Sequence, residues 1–283
     1  MRVLVTGARG MLGTDLCARL RDEHKVIAWD LPEYDVTNLS QALAELTKLK
    51  PDVVVHCAAN TNVDGCERDP QQAYLVNALG TWNIAAACAE SDTALAYLST
   101  DFVFDGEKGE PYDEFDIPNP ISVYGRSKYA GELLVRQLLN RHYIVRSSWL
   151  FGMNGNNFVR AILRKAEEGG PIPVVADQVG CPTYTVDLAE KIAGIIESPQ
   201  YGTYHVTNAG SCSWAEFAEE IIRQAGLDTP IVPIPAADWE SPTRRPKDSR
   251  LRHLALELQG RDNLRSWQEA LAEFLGELRV QGG

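Results

Sequence analysis

The chain has 283 residues, enough for one large domain or two modest ones that share a core. Its formal net charge of −12 argues against duplex binding, which needs a basic stripe, and leaves room only for a local basic pocket that takes a small anion. Hydrophobic residues at 45% and charged residues at 23% are ordinary for a globular protein.

No apolar run reaches membrane-spanning length, and Met1 leads straight into a strand pattern with no basic-then-apolar leader. The six cysteines (Cys17, Cys57, Cys66, Cys88, Cys181 and Cys212) are scattered and form no Cys-x-x-Cys pair. They read as free thiols in a reducing compartment, not as a disulfide frame or a metal site. A cytoplasmic protein with no membrane partner, no nucleic-acid partner and no protein-held metal is the expectation.

Arg2-Val3-Leu4-Val5-Thr6 is a short apolar strand. It runs into Gly7-Ala8-Arg9-Gly10-Met11-Leu12-Gly13, and Leu12, Leu16 and Leu20 then recur at helical spacing. The glycines are spaced G-x-x-G-x-x-G. Between a first strand and a first helix this spacing suits a tight turn, a close approach to a pyrophosphate, and a helix N-terminus that attracts anions. Lys25 to Trp29 form the second strand, and Asp30 at its end stands where an adenosine ribose is gripped through its hydroxyls. That carboxylate favours NADH, whereas Arg9 inside the glycine loop suits the 2′-phosphate of NADPH. Both cofactors stay open.

A helix is predicted around Leu39–Leu49, then a buried strand Asp52–His56 that ends in Cys57-Ala58-Ala59-Asn60-Thr61. Small residues there let backbone approach a cofactor. His56 reads as a structural histidine, and Asn77 in the following helical pattern either bonds across to a strand or is exposed. The fourth strand ends at Ser99-Thr100-Asp101, which puts Thr100 at the carboxyl edge of a parallel strand, where open α/β sheets bind ligands. After an acidic, Pro-rich loop comes Tyr124-Gly125-Arg126-Ser127-Lys128. Tyrosine and lysine four apart share a helix face, and a positive neighbour is expected to pull the phenol pKa down from about 10. A tyrosine tuned in that way exchanges a proton with a carbonyl oxygen. The fold class expected is α/β, a doubly wound parallel sheet of Rossmann type with a smaller C-terminal α/β substrate-binding domain. Residues 1–150 form the dinucleotide-binding part, 151–283 mainly the substrate part, and a segment of about 185–207 packs back on the first.

Further blocks follow in order: Arg146-x-Ser148-Trp149, Gly155-Asn156-Asn157-Phe158, Asp177-Gln178-x-Gly180-x-Pro182-Thr183, and Arg245-Pro246-x-x-Ser249-Arg250-Leu251. Together with Ala59-Asn60-Thr61-x-Val63-Asp64, Ser99 to Gly106, and Tyr124-Gly125-x-Ser127-Lys128-x-x-Gly131-Glu132, they make the chain similar to the dTDP-4-dehydrorhamnose reductase family. That family lies within the extended short-chain dehydrogenase/reductase superfamily.

The resemblance implies that a reduced nicotinamide delivers hydride to the C4 ketone of dTDP-4-dehydro-L-rhamnose. Tyr124 would donate the proton, Thr100 would hydrogen-bond the oxygen, and Lys128 would tune Tyr124 and bind the nicotinamide ribose. It also implies cofactor contacts at Gly10, Met11, Leu12, Asp30, Asp35, Val36, Ala59, Asn60 and Thr61, beside the turn glycines Gly7 and Gly13. Implied substrate contacts are Thr100, Asp101 and Trp149. The basic run Arg244–Arg252 is the best candidate for a diphosphate-facing loop in so acidic a chain, with Arg245 and Arg250 as forks for phosphate oxygens.

Asn60 stands where the family often has histidine. Some relatives bridge a dimer through magnesium held by clustered acids. The last helix here carries Ala270 and Leu271 around its middle, so a magnesium bridge is not expected, while a homodimer stays open. Two alternatives share the scaffold: a nucleotide-sugar epimerase or dehydratase, and a non-catalytic subunit like the regulatory partner of methionine adenosyltransferase. A dehydratase wants an Asp-Glu pair after the strand-end threonine, and Asp101-Phe102 does not supply it.

Overall fold

The computed structural model describes residues 1–282. Six strands form one parallel sheet: β1 (Arg2–Thr6), β2 (Lys25–Trp29), β3 (Val53–His56), β4 (Ala94–Thr100), β5 (His142–Ser147) and β6 (Gly202–His205). Their order is β6-β5-β4-β3-β1-β2. Every residue of β3 and β4 is buried, as expected where helices cover both faces of a parallel sheet. The chain reverses its winding between β1 and β3, so the crevice outside their carboxyl ends is the place for a ligand.

One face of the sheet is covered by helices Met11–Arg21 and Thr185–Ile196, whose Leu16, Leu20, Leu188 and Ile192 pack on Val3, Val5 and Val55. On the other face, helices Leu39–Leu49, Thr81–Glu90 and Val123–Leu138 bring Leu46, Ile84 and Val135 onto Leu4, Val54 and Ile144. A separate core serves the later half. There Phe151, Phe217 and Phe274 join strands Ile172–Val175 and Ile231–Ile234 with helices Trp214–Ala225 and Trp267–Gly282. Ala270 and Leu271 lie fully buried in this core.

Local chemistry sets the helix starts. Asn38, Ser122 and Asn157 each accept a bond from the backbone N–H three residues on, and Ser213 with Glu216 closes a capping box. No helix among the described residues is long and apolar enough to cross a membrane, and the six cysteines are free thiols.

His56 at the end of β3 is fully buried inside a directional chain of hydrogen bonds. Thr81 Oγ1 donates to the Asn77 carbonyl at 2.7 Å, so it accepts from His56 Nε2 at 3.2 Å, and Nδ1 takes the Thr6 hydroxyl at 2.6 Å. The ring is thereby fixed as one neutral tautomer. Burial, with the nearby Lys128 charge, pulls its pKa from 6.5 down to about 3. Between those values the unfolded chain binds a proton that the native ring refuses, so stability falls as pH falls through that window. Comparing urea midpoints at pH 7 and pH 4.5, His56→Asn should lose less stability on acidification than the parent chain does.

Candidate active site

The carboxyl ends of β1, β3 and β4 open into a cleft of ≈ 790 Å³. Its floor is the glycine turn. Gly7 holds φ +67, and a Cβ on Gly13 would lie 2.0 Å from the Gly7 carbonyl oxygen, so the turn and the helix start fit together only without side chains. Gly10, the residue before helix Met11–Arg21, gives it no side-chain cap, which leaves its first N–H groups free for an anion. Met11 and Leu12 also line the cleft.

Asp30 lies on the wall, where Oδ2 accepts from the Arg9 backbone N–H at 2.7 Å and Oδ1 from the Leu31 N–H at 2.8 Å. The Arg9 guanidinium is 2.9 Å from Glu33 and bonds the Leu31 carbonyl. Asp35, Val36, Ala59 and Thr61 complete this end. A narrow glycine cradle, an open helix N-terminus and a fixed acid at the end of β2 together fit a nicotinamide dinucleotide.

Thr100, Asp101, Tyr124 and Lys128 line the same cleft. Ser122 starts the helix that carries Tyr124 and Lys128, and the Phe102 ring packs edge-on against Tyr124 at 5.5 Å. The expected acidification of the phenol by the ammonium is not what the structure has. Tyr124 is half-buried on the cleft wall, and desolvation raises its pKa well above the tyrosine range, with Thr100 offsetting part of the rise and Asp101 adding to it. Burial likewise lowers Lys128 to about 7, against the pull of Cys57 and Glu132. Its Nζ lies 4.2 Å over the Tyr97 ring. Sequence spacing reports that two groups share a helix face, not how dry that face is.

Asn60 does not line the cleft, and Asn77 is the residue that explains why. Asn77 is fully buried in a π-helical stretch, Leu75–Gly80. Its Oδ1 accepts from Asn60 N at 2.7 Å, while Nδ2 donates to the Asn60 carbonyl and to Ser127 Oγ, each at 3.0 Å. One amide thus ties the loop after β3 to the helix of Tyr124 and Lys128. A polar residue inside an apolar helical pattern was its only sequence signal.

From the later half, Trp149 reaches the cleft with φ +48 and stacks on Trp214, ring centroids 3.4 Å apart and 8° from parallel. Trp214 opens the capped helix after Ser213, a position that sequence alone did not single out. Arg245 lines the cleft, held by Asp64 at 2.9 Å. Arg250 does not line it: its guanidinium is occupied by Asp248 at 2.6 and 2.8 Å, two residues away. Of the two arginines expected to face a phosphate, the structure therefore places only Arg245 on the cleft wall. A second cavity of ≈ 570 Å³ adjoins the first through Trp214 and Arg245, and adds Phe158, Trp239, Arg244 and Lys247 to its walls.

Residues 1–280 match the family described as RmlD substrate binding domain. The chain is 38% identical over 284 residues to a dTDP-4-dehydrorhamnose reductase of Aggregatibacter actinomycetemcomitans, covering 95% of this chain and 97% of the other. It is equally 38% identical over 275 residues to a dTDP-4-keto-6-deoxy-D-glucose reductase of Streptomyces niveus, covering 96% of each. A crystal structure of dTDP-4-dehydrorhamnose reductase from Bacillus anthracis in complex with NADP superposes with a TM-score of 0.95 at 44% identity, over 98% of this chain and 99% of that one. Fold and length agree throughout, and the chain belongs to the family described as RmlD substrate binding domain.

Proposed function

We propose that this protein reduces the C4 ketone of dTDP-4-dehydro-L-rhamnose to dTDP-L-rhamnose, the last step in making that nucleotide sugar, with NADH or NADPH. The observation that carries the proposal is the meeting of Thr100, Tyr124 and Lys128 with the glycine turn in one cleft. The relatives named above share a dTDP-linked ketone at C4 as substrate.

The cofactor would be held by the Gly7–Gly13 turn, by Asp30 at the ribose, by Asp35, Val36, Ala59 and Thr61, and by Lys128. When bound, the reduced nicotinamide supplies a hydride to the carbonyl carbon. Negative charge then develops on the sugar oxygen, and the chain must meet it. Tyr124, kept protonated by its burial, gives that oxygen its proton. Lys128, when charged, stabilises the phenolate left behind, which is the form that burial otherwise disfavours. Thr100 is the second hydrogen-bond partner of the oxygen, and one such donor is typically worth about 3–4 kcal/mol in the transition state.

The nucleotide would occupy the second cavity. Arg244, Arg245 and Lys247 suit a diphosphate, and Phe158, Trp214 and Trp239 suit a base. Trp149 and Asp101 then border the sugar between the two cavities. A neighbouring 4-keto sugar is the second reading, because the relative named for the keto-deoxyglucose is as similar as the one named for dehydrorhamnose.

A coupled assay with enzymatically generated dTDP-4-dehydro-L-rhamnose should show oxidation of added NADH or NADPH that depends on the sugar. Turnover of dTDP-4-keto-6-deoxy-D-glucose but not of the rhamnose precursor would move the assignment to that sugar. Tyr124→Phe should lower kcat by about 10²-fold or more while cofactor affinity survives. Gly13→Ala should do the reverse at the first step: the added carbon meets the Gly7 carbonyl, and quenching of tryptophan fluorescence by added cofactor should be lost.

A further inference from the structure

Thr100 has a difficulty as a donor, and the difficulty leads to Ser249. A hydroxyl owns one proton and two lone pairs. Thr100 Oγ1 gives its proton to Asp101 Oδ1 at 3.0 Å and accepts the Phe102 N–H at 3.2 Å. Only one lone pair remains. With Asp101 as a carboxylate, Thr100 therefore has no proton for the oxygen that gains charge.

Asp101 is only 2% exposed, and its other oxygen, Oδ2, accepts from Ser249 Oγ at 2.5 Å. Ser249 is itself buried and arrives from a distant part of the chain. Its backbone is pinned too, with Ser249 N bonded to the Val179 carbonyl and Val179 N to the Lys247 carbonyl. Ser249 thus keeps Oδ2 an acceptor and leaves Oδ1, the oxygen against Thr100, as the place for a proton.

We propose that the Ser249–Asp101 pair sets the direction of the Thr100 hydroxyl, making Thr100 a donor to the reacting oxygen only while Asp101 holds a proton. In that state Asp101 Oδ1–H donates to Thr100 Oγ1, the Phe102 N–H takes the second lone pair, and the Thr100 proton turns to the sugar. Tyr124 then has nothing but the sugar oxygen to donate to. No proton is lost from Asp101 in the turnover; the one that forms the new O–H bond leaves Tyr124. This deepens the ketone-reductase proposal and rests on it.

Burial raises the Asp101 pKa from 3.8 to about 6, although Ser249, Thr100 and nearby backbone N–H groups favour the carboxylate. The titratable groups facing it are the Tyr124 phenol and the Cys181 thiol. Burial drives Tyr124 well above its usual range and Cys181 to about 11, so neither changes charge near pH 6. Lys128, farther along the cleft and lowered by burial to about 7, adds a second fall that overlaps the first.

The test is kcat/KM against pH for reduction of the dTDP-linked 4-keto sugar, since that ratio reports the free enzyme. The parent chain should lose activity as pH rises through about 6 and again at the Lys128 step. In Asp101→Asn the amide donates to Thr100 and accepts from Ser249 at every pH, so the step near pH 6 should vanish and the later one remain. In Ser249→Ala the carboxylate loses a hydrogen bond, so the step should move up by about one pH unit. A purely structural serine would change the size of the rate and not the position of the step. If Asp101→Asn keeps the step, or a folded Ser249→Ala leaves it in place, the proposal is wrong although the reductase activity stands. Should Ser249→Ala fail to fold, the Asp101→Asn profile decides alone. If the parent chain reduces no 4-keto sugar at any pH, the underlying function falls, and this proposal falls with it.

Discussion

A buried ion pair holds the helix of Tyr124 and Lys128 to the sheet, and the geometry of the cleft follows from it. Glu132 and Arg146 are each at most 1% exposed, and the guanidinium meets both carboxylate oxygens at 2.9 and 2.7 Å. Ser99, the neighbour of Thr100 on β4, donates to the same carboxylate at 2.6 Å. One carboxylate therefore fixes the helix of Tyr124 and Lys128, the end of β4 that bears Thr100, and the β5 strand of Arg146. Such a pair gains little over well-packed apolar residues, yet removing one partner strands a buried charge at a cost of roughly 3–5 kcal/mol. Its value is registration. The helix and the two strands it ties cannot slide past one another.

Around this pair two buried histidines each use both ring nitrogens. His205 accepts from Arg146 at Nε2, which leaves Nδ1–H for the carbonyls of Tyr112 and Arg252. His56, Thr81 and Asn77 form a second chain that ends on the Asn60 peptide and Ser127. Directional chains of this kind specify one arrangement, because reversing any single donor orphans its neighbours.

Much of this could be read from the sequence where the cause is local. Strand runs, glycine spacing, the Ser213–Glu216 cap and the shared face of Tyr124 and Lys128 depend on a few consecutive residues. What depends on residues far apart could not be read. Asn77 shows its meaning only when the loop after β3 is laid beside it, and Ser249 only when its segment crosses the end of β4. Arg250 looked like a phosphate fork because its own neighbour, Asp248, could not be seen to capture it. The Tyr124 shift came out opposite in sign for the same reason. A charge four residues away is visible in sequence, whereas the number of atoms that exclude water is a property of the packed whole.

The edge strand β6 carries a consequence of its own. It joins the sheet parallel to β5, and helix Thr185–Ile196 just before it covers the apolar face of β1 and β3. A chain that stopped after β5 would present an unpaired strand margin and a bare apolar sheet face, the conditions under which sheets from separate molecules zip together. The first five strands can emerge from synthesis in order and still have nowhere safe to rest. Completion of this sheet waits on about fifty residues that first pass through the other core, so the two halves are obliged to mature as one body.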